Sequence, residues 1–169
     1  MDKKKCIIDK YNTVYSYDVF VVINPDKDTL NKRFTWCEKD REFYNSDYDD
    51  RVAITCSNVT DIENNKYCFV IIVNSIRDDI DLANTSAHEA THAAHDILSE
   101  CRIKLSEDTE EAYAYLVGYI SECIFKTASK RWTSLRWVLY YIMPTSYLYN
   151  TRISHVQNSV NTSSCTVYL

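Results

Sequence analysis

His88-Glu89-Ala90-Thr91-His92, followed by Ala93, Ala94 and His95, carries three of the four histidines in the chain. On a helix, residues four apart lie one turn above each other. The imidazoles of His88 and His92 can therefore close on one metal ion. Glu89 is expected on the same side of the helix, where a carboxylate can take a proton from a metal-bound water. Ala83, Ala87, Ala90, Ala94 and Leu98 would form the back of this helix. Small residues there allow close packing and leave the histidine face open. Asp78, Asp79 and Asp81 place acid at its start, which predicts a helix over about 81–100.

Upstream, Tyr67–Val73 is an unbroken apolar run and the strongest strand prediction in the chain. Residues 5–9 and 17–23 read as two more strands joined by a Tyr-rich turn, and Val52–Cys56 as a short fourth. Asn24-Pro25-Asp26 predicts a helix to about residue 38, with proline at its first position and Leu30, Phe34 and Cys37 on its buried stripe. Residues 38–51 read as loop and Asn58–Lys66 as polar turn. Gly118 is the only glycine, so Asn and Asp must make the turns that need left-handed backbone.

Two histidines make only part of a catalytic metal site, which takes three protein ligands and a water. Downstream, Ser106 can cap another helix, with Glu107 and Asp108 in its first turn and Ala112, Leu116, Tyr119, Ile120 and Cys123 as its buried stripe. Glu111 lies eighteen intervening residues after His92. It shares a stripe with Tyr115, Gly118 and Glu122 flanking the buried face, whereas Glu110 shares one with Ala114, Val117 and Ser121, nearly opposite. Glu111 is thus the favoured third ligand; Glu110, His95 and His155 are the alternatives. Gly118, costly within a helix, is expected to permit close helix contact.

At 169 residues, with 46% apolar and 25% charged side chains, the composition is that of one globular domain. A net charge of −5 without a basic cluster argues against nucleic acid as a partner. Seven cysteines form no C-x-x-C pair, and the basic N-terminus precedes too short an apolar run for a signal peptide. Reduced thiols and a cytoplasmic location are expected. Composition changes after residue 130: residues 1–130 hold 16 basic and 24 acidic side chains, whereas 131–169 hold only Arg131, Arg136 and Arg152. A domain over 1–130 and a C-terminal extension over 131–169 follow. The extension is expected to begin with an aromatic helix, stopped before Pro144, and continue irregularly. Its apolar run is too short to span a bilayer.

The pattern His88-Glu89-x-x-His92, eighteen residues, Glu111 resembles that of the gluzincin metallopeptidases. The region from the first strands to about residue 125 is similar to small zincin-like metallopeptidases of bacteriophages and prophages. There a short sheet precedes the H-E-x-x-H helix, and a Glu-bearing helix follows with a segment like Glu111-Ala112-Tyr113-Ala114-Tyr115-Leu116. The resemblance implies an α+β, zincin-like fold, with a sheet of three to four strands packed on the motif helix and the Glu-bearing helix. It also implies Zn²⁺ as cofactor and a peptide or protein substrate of a bacterial host or phage. One departure is Tyr115, where thermolysin-like enzymes place an acid that orients a histidine; Asp96 and Glu122 are the remaining candidates for that role. Tyr115, Tyr119 and His155 are candidate oxyanion donors.

The expected function is zinc-dependent peptide hydrolysis, with metal held by His88, His92 and Glu111, Glu89 as general base and Tyr115 as oxyanion candidate. Strand 67–73 would offer an edge to an extended peptide. The alternative is a zincin-like binding module that acts on a host protein by occupancy. A lesser one is a membrane-surface or self-association role for Trp132, Trp137 and Tyr140–Tyr141.

Overall fold

The computed structural model describes residues 5–38 and 41–130, all within a compact unit spanning Met1–Arg131. The aromatic helix predicted after residue 130, and His155, lie outside the described residues.

Two apolar runs form the centre of the sheet. β2 (Asp18–Ile23) and β5 (Lys66–Val73) pair in parallel, Val19 opposite Phe69 and Ile23 opposite Val73. Nearly every residue of both is buried, as expected of strands covered on both faces. β1 (Ile7–Asn12) joins β2 antiparallel on one side, and β4 (Ala53–Asp61) joins β5 antiparallel on the other. β3 (Phe34–Trp36) adds to β4, giving the order β1-β2-β5-β4-β3. Among the described residues the fold is α+β, with a five-stranded mixed sheet and three α-helices.

The fifth strand comes from the predicted first helix. α1 (Lys27–Arg33) is capped by Asp26, whose Oδ2 accepts from the Thr29 amide at 3.0 Å; Pro25 therefore precedes the cap. The helix stops at Arg33 because Phe34 turns to extended backbone. Phe34-Thr35-Trp36, aromatic and β-branched, then pairs with Val59–Asp61. Phe34 is buried as predicted, but from a strand, and Cys37 is exposed. β4 also runs past its predicted end at Cys56. A bulge between Cys56 and Val59, with Asn58 at φ 58°, absorbs the polar residues without ending the strand.

Alternation divides the core into two layers. Phe20, Val22, Cys68, Val70 and Ile72 face Leu30, Phe34, Phe43 and Tyr44, so α1 and the following loop cover one side. Val19, Val21, Phe69 and Ile71 point to the other side, where α2 (Asp79–Glu100) lies on β4 and β5 and α3 (Glu110–Ser129) on β1 and β2. Arg33 ties the α1 end to the β4 end: its Nε is 2.7 Å from Oδ1 of the fully buried Asp61, and it also meets Glu63. Positive φ occurs at Ser16, Asn24, Asn58, Asn65 and Arg102, so asparagine takes most of the left-handed positions that glycine would otherwise fill.

Candidate metal centre

α2 begins where its acids place it. The Asp78 side chain accepts from the Asp81 amide at 2.8 Å, and Asp79 and Asp81 fill the first turn. The buried stripe is Leu82, Ser86, Ala90, Ala93, Ala94, Ile97 and Leu98, whereas Ala83 and Ala87, predicted for the back, are exposed. Alanine's small apolar side chain fits either environment, so only packing distinguishes the two pairs.

His88 and His92 project outward one turn apart, their Nε2 atoms separated by 3.2 Å and their rings inclined at 75°. Two nitrogen ligands at ~2.05 Å from a tetrahedral zinc stand about 3.3 Å apart. The pair therefore already has the spacing that one shared ion requires. Among the described residues no third His, Cys, Asp or Glu joins it to complete a three-donor group.

Glu89 turns inward rather than standing beside the histidines. It is 5% exposed and packs under β4, where the Thr55 hydroxyl lies 2.7 Å from Oε2 and 3.1 Å from the Glu89 carbonyl oxygen. What remains exposed opens on a recess of about 390 Å³ that it shares with His88, Val52, Ala53 and Asp81. The Asp81 carboxyl, hydrogen-bonded by Arg77, is held below the usual carboxylate range. His88 and Glu89 thus share one recess at the start of β4, and His92 is not part of its lining.

β3 pairs only with the far end of β4, so Ala53–Cys56 have a strand neighbour on the β5 side alone among the described residues. A second recess, about 230 Å³, lies along this open edge between Trp36, Glu38 and Ile54–Asn58. The open edge beside α2 is therefore the start of β4. Strand β5, predicted to offer it, lies between β2 and β4.

α3 starts at Glu110, with Thr109 as cap, so Glu110 and Glu111 occupy its first turn in place of Glu107 and Asp108. The Thr109 hydroxyl bonds back to the Lys104 carbonyl, which closes the preceding loop before the helix can begin. The side of α3 facing α2 is marked by Tyr113, whose ring is 6.4 Å from that of His95, and by Ser121, whose hydroxyl donates to the Ser86 carbonyl at 3.4 Å. Glu110, Ala114 and Val117 share that side by helical spacing. The stripe with Glu111, Tyr115, Gly118 and Glu122 is exposed throughout, with Tyr115 76% exposed, whereas in the other Glu110 and Ala114 are exposed and Val117 and Ser121 half-buried. The predicted assignment of the two faces is therefore reversed, because α3 buries one side on the sheet and another on α2.

Tyr115 lines a separate, mainly apolar hollow of about 380 Å³ with Asn12, Val14, Leu116 and Tyr119. The Tyr119 hydroxyl is committed to the Asn12 carbonyl at 2.8 Å, and Glu122 pairs with Lys126. Neither is directed to the histidines. Gly118 has nothing within 4 Å of where a Cβ would stand, so close helix contact does not explain it. Sequence reading missed Thr55, although alternation within the predicted strand 52–56 separates it from Ile54 and Cys56. It also treated Asp81 only as a helix-start acid.

Comparison of the chain with family models, curated proteins and solved structures gives no match. Among the described residues no helix is long and apolar enough to cross a membrane.

Proposed function

We propose that this chain is a zinc-dependent metallopeptidase of zincin-like fold, working in the cytoplasm on a peptide or protein of a bacterial host or phage. The observation that carries the reading is the 3.2 Å approach of His88 and His92 beside the recess that Glu89 enters. His88 and His92 would hold the ion with a first-turn carboxylate of α3, Glu111 by its spacing from His92 or Glu110 by its place on the side of α3 facing α2. Bound zinc supplies a water acidified to near-neutral pKa and polarises a carbonyl oxygen.

The chain's own residues do the rest. An extended peptide lies along the open edge of Ala53–Cys56, where strand addition satisfies its backbone groups and the flanking recesses take alternate side chains. Glu89, nearly buried beneath that edge, accepts the proton of the attacking water and returns it to the leaving amine. The decisive experiment is Glu89→Gln in zinc-loaded protein. Metal content is expected to stay the same while hydrolysis falls by roughly 10²–10⁴-fold, the usual worth of general base catalysis. Unchanged hydrolysis would overturn the assignment.

A second reading, a zincin-like module that binds a host protein without cleaving it, is favoured by one feature. Tyr115 lines another hollow and Tyr119 is bonded to β1, which leaves the oxyanion without a predicted donor among the described residues. Stable capture of an uncleaved partner by metal-loaded protein distinguishes it.

A further inference from the structure

Thr55 is the only residue whose side chain hydrogen-bonds the Glu89 carboxylate among the described residues. A carboxylate removed from water is costly unless a donor meets it. β4 supplies that donor because alternation sends Thr55 toward α2 while Ile54 and Cys56 join the opposite core layer. The β-branched side chain has restricted χ1 freedom, which aims the hydroxyl. Its single proton is shared between Oε2 at 2.7 Å and the Glu89 carbonyl oxygen at 3.1 Å, which ties the side chain to its own helix turn. Among the described residues no hydrogen bond reaches Oε1.

We propose that Thr55 is a positioning residue for Glu89. It holds Oε2 against the sheet and leaves Oε1 to face the recess beside His88. Thr55 also lines the recess along the open β4 edge, so a peptide bound there touches the residue that orients the base. The inference rests on the peptidase reading, and its test has a part that needs no hydrolysis.

Thr55→Val and Thr55→Ser are each made in the full chain, alone and with Glu89→Leu. In metal-free protein, Thr55→Val is expected to lower Tm by about 5 °C, since it strands a buried carboxylate. In the Glu89→Leu background the same change is expected to be near neutral, because both polar partners are then gone. Thr55→Ser keeps the hydroxyl and should cost much less than valine. With zinc and fluorescein-labelled casein, Thr55→Val is expected to lose roughly 10–100-fold in kcat at unchanged zinc content, with most activity kept by serine. Equal Tm losses in both backgrounds, or serine no better than valine, overturn the proposal. Intact coupling with casein uncleaved by every variant overturns the peptidase reading instead and leaves the Thr55–Glu89 contact standing.

Discussion

The Nε2 atoms of His88 and His92 approach to 3.2 Å across one turn of α2, and both side chains are exposed. Two ring nitrogens at that distance can share a proton or a cation, but they gain nothing from facing each other bare. Stoichiometric zinc is therefore expected in protein purified without chelator, measured by mass spectrometry. His92→Ala should lose it. Glu111→Ala and Glu110→Ala, run side by side, identify the carboxylate: the variant that binds zinc roughly 100-fold or more weakly has lost the third ligand. Zinc retained in both would exclude the first turn of α3.

Gly118 lies exposed in the interior of α3, with helical backbone and open space where a methyl group would go. Gly118→Ala should therefore stabilise the chain by about 0.5–1 kcal/mol, through helix propensity alone. The urea midpoint should rise with the m-value unchanged. A fall in the midpoint would mean that this glycine serves a contact after all.

Asp61 is completely buried and its compensating charge is Arg33, itself largely covered. Arg33→Met removes the guanidinium, which also lies over the Phe20 ring, and leaves the carboxylate with only the Glu63 amide and Asn64 among the described residues. The cost expected from urea denaturation is about 3–5 kcal/mol, the range for breaking a buried pair on one side. Arg33→Met with Asp61→Leu should recover much of it. Failure to recover would mean that the pair contributes more than charge compensation.

Burial pushes the thiols of Cys56 and Cys68 up from 9.0 to about 12. A raised folded-state pKa means that above pH 9 the unfolded chain releases protons that the native chain keeps. Stability is thus full below pH 9 and declines as pH rises toward 12, at up to about 1.4 kcal/mol per pH unit for each thiol. Cys56→Ala with Cys68→Ala should start lower, because of the cavities, and show a shallower alkaline decline. An unchanged slope would assign the decline to other groups.

What the sequence alone determined is what depends on near neighbours. The helical spacing of His88 and His92, the acids that start α2 at Asp79, the β2 and β5 runs and the asparagine turns all rest on interactions within about four residues. Tertiary structure decided the rest. Phe34-Thr35-Trp36 leaves the helix because Val59–Asp61 offers it a ladder, a partner some 25 residues away that no local period reveals. The same strand, β4, passes its bulge at Asn58, leaves Ala53–Cys56 as the open edge and sends Thr55 to Glu89. α3 is the clearest case. A single apolar stripe predicts one buried face, but a helix packed on both a sheet and another helix has two, and the second can be lined by Tyr113 and Ser121 without an apolar signature. Periodicity records how much of a helix is covered by apolar neighbours; which neighbour covers each side is settled only when distant elements meet.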